Sequence, residues 1–141
     1  MFVEIFSICD AATDSAGKLN ILGTFEGIAA PKAPVSRERC SVAVRMRFVE
    51  EEAGEHTIQV QLVDKEGTRI GPGIGAKLNV KFTPGRPSIA QNLVLNINNL
   101  QFPAFGVYEL QLWVDGVKKS YLPIIVAKTQ SASRMRGAME N

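Results

Sequence analysis

Apolar residues recur at alternate positions through most of this chain, and a spacing of three and four is nowhere sustained long enough for a full helix. The pattern is cleanest over residues 40–49. Cys40, Val42, Val44, Met46 and Phe48 fall on one side, with Ser41, Ala43, Arg45 and Arg47 on the other. Successive side chains of a strand point to opposite faces, so this is a strand with one dry and one wet face. Shorter runs repeat the pattern around residues 58–62, 76–82, 92–98 and 108–114, separated by AGK, EEAGE, DKEG, TPGRP and VDG turn signals. Strands at this spacing predict an all-β, antiparallel sandwich of about seven to nine strands.

Length and charge narrow the functional classes. At 141 residues, the chain is expected to fold as one sandwich domain over residues 1–128 with a flexible tail over 129–141. A net charge of +2, with no run of Lys and Arg, argues against nucleic acid as a partner. No apolar run approaches the roughly 20 residues needed to span a bilayer, and MFVEIFSICD lacks the basic start of a secretory signal, so a cytoplasmic protein without a membrane partner is expected. In a reducing compartment Cys9 and Cys40 read as free thiols.

Particular residues order the strands. Residues 2–10 and 19–25 form a hairpin around Gly17-Lys18, and the connector GIAAPKAPVSRE, with Pro31 and Pro34, is kept out of any central ladder. GPGIG, residues 71–75, precedes a strand and reads as a bend or bulge, not as a dinucleotide fingerprint. The last hairpin has two registers. A two-residue Asp115-Gly116 loop pairs Val114 with Val117 and Leu112 with Lys119; a three-residue loop pairs Leu110 with Leu122 and Tyr108 with Ile124. The second is favoured because it keeps a lysine out of the core.

Gly106-Val107-Tyr108 at the start of the penultimate strand resembles immunoglobulin-like sandwiches, in which a tyrosine there hydrogen-bonds back across a corner. Leu110 stands where antibody domains carry a bridging cysteine, so packing must replace the disulfide. Over nearly its whole length the chain also resembles a family of uncharacterised bacterial proteins, a domain of unknown function. Cys9-Asp10, Gly17-Lys18-Leu19, Leu22 to Phe25, Gly54-Glu55-His56, Asp64 to Gly67, Phe102-Pro103, Gly106-x-Tyr108 and Val114-Asp115-Gly116 carry that resemblance. It implies an immunoglobulin-like fold and brings no activity.

Reactive constellations are sparse. His56 is the only histidine; it is a weak candidate for proton transfer beside a carboxylate, against a structural hydrogen bond or a solvated turn. Ser15-Ala16-Gly17-Lys18 lacks the first glycine, the hydroxyl and the helix of a phosphate-binding loop. Asp10 and Asp14 supply too few oxygens for calcium, so no metal or cofactor is expected. Arg45 and Arg47 point outward, where an anion could meet them, although solubility explains them more simply. Alternation also places Trp113 outside, and the favoured register sets Lys119 beside it and Tyr121 diagonally near. This surface is read three ways: covered by the connector or lysine stems, buried in an interface, or stacked on a ligand. The expectation is a non-enzymatic protein-interaction or structural module, binding an unidentified protein or itself. The alternative is a carrier of a sugar or an anionic metabolite.

Overall fold

Residues 1–129, described by a computed structural model, form nine strands in chain order: β1 Phe2–Ser15, β2 Lys18–Thr24, β3 Gly27–Ala30, β4 Val35–Val49, β5 Gly54–Val63, β6 Arg69–Val80, β7 Ser88–Phe102, β8 Gly106–Val114 and β9 Val117–Lys128. A single 3-10 turn, Glu50–Glu52, joins β4 to β5. One sheet has the order β2-β1-β4-β7 and the other β3-β9-β8-β5-β6. All pairings are antiparallel except β3 with β9. Among the described residues, no helix is long and apolar enough to cross a membrane.

The alternation in β4 builds the central layer. Val42, Val44, Met46 and Phe48 are 0% exposed and face Ile58, Leu112 and Ile124 of the opposite sheet within one apolar core. Each such side chain contributes about 1.5–3 kcal/mol on burial. Cys9 and Cys40 are free and buried, and burial pushes both thiols above the usual cysteine range. They are therefore poor nucleophiles.

The tyrosine corner forms as the sequence predicts. Tyr108 Oη donates to the Ala104 carbonyl at 2.6 Å and accepts from the Ala104 N–H at 3.2 Å, closing the turn between β7 and β8. Its ring meets Phe102 edge-on, with centroids 5.0 Å apart. With strands β1, β4 and β7 in one layer and β9, β8, β5 and β6 in the other, the fold is an immunoglobulin-like β-sandwich.

Three local expectations need correction. The connector is not wholly irregular: Gly27–Ala30 pairs with Ile125 to Lys128 as an edge strand, because its four residues precede Pro31 and keep their donors. The strand expected at residues 40–49 begins earlier, at Val35, just after Pro34. The last hairpin uses the two-residue Asp115-Gly116 loop, with Val114 opposite Val117, yet Leu110 still meets Leu122 and Tyr108 still meets Ile124. A bulge between Leu112 and Trp113 reconciles the two registers: Trp113 lies opposite Lys118 and Leu112 opposite Ser120, so Lys119 is the extra residue. The lysine leaves the core without a longer loop.

At the C-terminal end, the Thr129 N–H donates to the Ala30 carbonyl at 2.8 Å. Residues 130–141, where the rest of the flexible tail was expected, lie outside the described residues.

Candidate functional site

Three strands form the middle of the outer face of the five-stranded sheet. Tyr108, Leu110, Leu112 and Val114 point into the core, so Val107, Glu109, Gln111 and Trp113 face outward. Pairing sets Val107 opposite Ile125 and Gln111 opposite Tyr121. Tyr121 is 61% exposed, Val107 52% and Ile125 44%. Trp113 is half-buried.

The polar groups on this face satisfy one another. The Trp113 indole N–H donates to Gln111 Oε1 at 3.0 Å, Gln111 Nε2 donates to Glu109 Oε2 at 2.6 Å, and Lys118 Nζ donates to the same oxygen at 2.9 Å. The Gln111 amide, then the Lys118 ammonium, hold the Glu109 carboxyl below its usual range. The ammonium also lies 4.8 Å from the centre of the Tyr121 ring. Along β5, Thr57, Gln59 and Gln61 continue the face without charge, and Glu55 pairs with Lys77 at 3.5 Å. The exposed large apolar side chains on this face are Tyr121, Val107 and Ile125.

The structure therefore brings Trp113 and Tyr121 onto one face as predicted, but it exchanges the lysine. Lys118, not Lys119, lies opposite Trp113, because the bulge carries Lys119 out of register. Val107 and Ile125 were missed, although the favoured pairing of Tyr108 with Ile124 already implied that their neighbours would meet outside.

His56 lies elsewhere, at the end of the sandwich. Its Nδ1 is 2.6 Å from Asp115 Oδ2 and its Nε2 is 2.6 Å from the Glu52 carbonyl, while the ring packs 4.8 Å from Phe48. Burial alone would lower its pKa; the Glu52 carbonyl, the Asp115 hydrogen bond and the nearby negative charges outweigh that and raise it. Asp115 also accepts from the Thr57 N–H at 2.9 Å, and its carboxyl is held low chiefly by His56. Both ring nitrogens are thus tied into a link between the 3-10 turn and the last hairpin. On the other sheet, Glu4 spans both outward arginines, at 3.0 Å from Arg45 and 3.1 Å from Arg47, so neither waits free for an anion. Among the described residues, no three His, Cys, Asp or Glu side chains group as metal ligands.

Residues 4–127 match the model of a family described as a family of unknown function (DUF6941). No curated protein matches the chain. Among solved structures, β-glucosidase from Listeria innocua aligns with TM-score 0.51 in its complex with glucose and 0.50 with isofagomine, at 11% identity, over 89% of this chain and 16% of that one. An immunoglobulin-like protein from Pseudomonas aeruginosa aligns over 89% of this chain and 94% of its own at 13% identity and TM-score 0.33. This chain spans 16% of the glucosidase's length, and at 11% identity that likeness shows the fold alone.

Proposed function

The chain belongs to that family of unknown function (DUF6941), and we propose that it is a non-enzymatic interaction module of the bacterial cytoplasm, pairing with a second copy of itself through the outer face of β8 and β9. One observation carries the reading: Tyr121, Val107 and Ile125 are exposed on the outer face of β8 and β9, where Glu109 is already paired with Lys118. Large apolar side chains gathered on one surface favour burial against a partner. Like charges would repel across a two-fold axis, and on the β8–β9 part of this face Glu109 and Lys118 cancel, with Arg69 at the β6 margin beyond it.

Two further features support the non-enzymatic reading. The sole histidine has both ring nitrogens engaged in structural hydrogen bonds. Both cysteines are buried with raised pKa values, which also fits a reducing compartment.

Sedimentation equilibrium tests the proposal. The protein is expected to be a reversible dimer, and Tyr121→Glu and Ile125→Glu, each placing a charge on the open face, are expected to be folded monomers. Trp113→Ala should weaken the dimer less, since the indole is half-buried in its own sheet. A wild-type monomer at every concentration, or a dimer indifferent to both glutamates, overturns it.

A further inference from the structure

Each sheet ends in an open edge on the same side of the sandwich: β6 in one, β7 in the other. β6 bulges there, and β7 carries a positive-φ residue while keeping its register on β4. Between Ile74, paired with Val60, and Ile70, paired with Leu62, β6 arches through Gly71-Pro72-Gly73, whose two glycines both have φ of 74°. In β7, Asn99 takes φ of 59° and interrupts the extended run. Between the arch of β6 and the edge of β7 lies a groove of about 540 Å³. Its floor is the core itself, at Leu62, Ile97, Phe102 and Leu110. Its walls are Ile70, Pro72 and Ile74 on one side and Leu100 with three asparagines and a glutamine on the other.

We propose that this groove binds an uncharged, mostly apolar small molecule carrying a hydroxyl or amide group. The volume lies within the range of small-molecule sites, about 300–1,000 Å³. No residue lining the groove carries a charge. Moving an ion against apolar side chains with no counter-charge is costly, so a neutral ligand is selected. Arg69, the neighbouring cation on β6, donates to the Pro72 carbonyl at 3.2 Å and borders the outer face with Gln59 and Gln61 instead. Polar anchoring comes from carboxamides, which both donate and accept. Asn96 already accepts from the Ser41 hydroxyl at 2.8 Å, whereas the side chains of Asn98, Asn99 and Gln101 make no hydrogen bond among the described residues.

The same backbone irregularities argue against an added protein strand as the occupant. Strand addition needs a regular row of free N–H and C=O groups. Pro72 has no N–H and its carbonyl is taken by Arg69, while Asn99 turns the β7 backbone out of the extended conformation. Neither edge offers a continuous ladder at this level.

The test is a titration of the full-length, nitrogen-15-labelled chain with benzyl alcohol, benzoate and benzylammonium, three probes of similar shape and different charge. Benzyl alcohol is expected to shift the amides of residues 70–74 and 96–103 saturably in about the millimolar range, as befits so small a ligand. Each ion should bind roughly tenfold more weakly or worse. Asn98→Asp, at an exposed rim position, should transfer the preference to benzylammonium without changing the rest of the spectrum. Equal response to the ions, saturable shifts confined to other residues, no saturable shift, or an unchanged preference in Asn98→Asp would each overturn the assignment.

Discussion

His56 faces an acceptor from each ring nitrogen, and only the imidazolium can donate to both. Its pKa is raised in the fold, so the stability it contributes is complete below the unfolded value of about 6.5 and is lost as pH rises through the higher folded value. Asp115 runs the other way: its lowered pKa contributes stability above the unfolded value of about 3.9, lost as pH falls through the folded one. The pair is strongest in the window between those limits. Urea denaturation midpoints should therefore fall as pH rises above about 6.5, and His56→Gln should flatten that limb while leaving the acid limb partly intact. An unchanged alkaline limb would sever His56 from the pH dependence. Tyr108 offers a second residue-scale measurement, since its hydroxyl satisfies both backbone groups of Ala104. Tyr108→Phe keeps the ring against Phe102 and is expected to cost about 1–2 kcal/mol in urea denaturation, with the spectrum of the core unchanged.

At the scale of the strand, β6 owes its arch to a close approach as well as to backbone freedom. A Cβ on Gly73 would lie 3.1 Å from the Val60 carbonyl, on a residue whose φ is already positive; at Gly17, with φ of 79°, nothing lies within 4 Å. Gly17→Ala should cost about 1–2 kcal/mol from backbone strain alone, and Gly73→Ala measurably more, because β5 must yield as well. Equal losses in thermal denaturation would mean that the arch is free to shift. These strands also mark what sequence could reveal. Period-2 alternation named the core face of β4 and put Trp113 outside, because a strand's faces are decided residue by residue. The bulge at Lys119 escaped it: a two-residue turn and a leucine-matched register each satisfy local rules, and only an extra residue between them satisfies both. The edge strand β3 was missed for a similar reason, since its partner lies nearly a hundred residues further on. The groove depends on β6 and β7 both being edges, which is a property of sheet order and has no signature in either segment.

The molecule has two outer faces of different electrical character. On the four-stranded sheet, Arg45 and Arg47 share the single carboxylate of Glu4, which leaves an excess of positive charge in that cluster. On the five-stranded sheet, Glu109 with Lys118 and Glu55 with Lys77 cancel, Arg69 lies at the β6 margin, and the exposed large apolar side chains over β8 and β9 are tyrosine, valine and isoleucine. Salt separates the two. Raising ionic strength from about 50 to 500 mM shortens the screening length severalfold and would weaken by about tenfold or more any association driven by the arginine-rich face meeting an acidic surface. Association through the apolar side chains of β8 and β9 gains its free energy from apolar area, which sodium chloride scarcely alters. Its dissociation constant should change less than about threefold over the same range. Sedimentation across that salt series thus reports which face a complex uses, even where a substitution on one face leaves the complex intact. A dimer that dissolves steeply with salt would move the interface away from Tyr121 and toward charge.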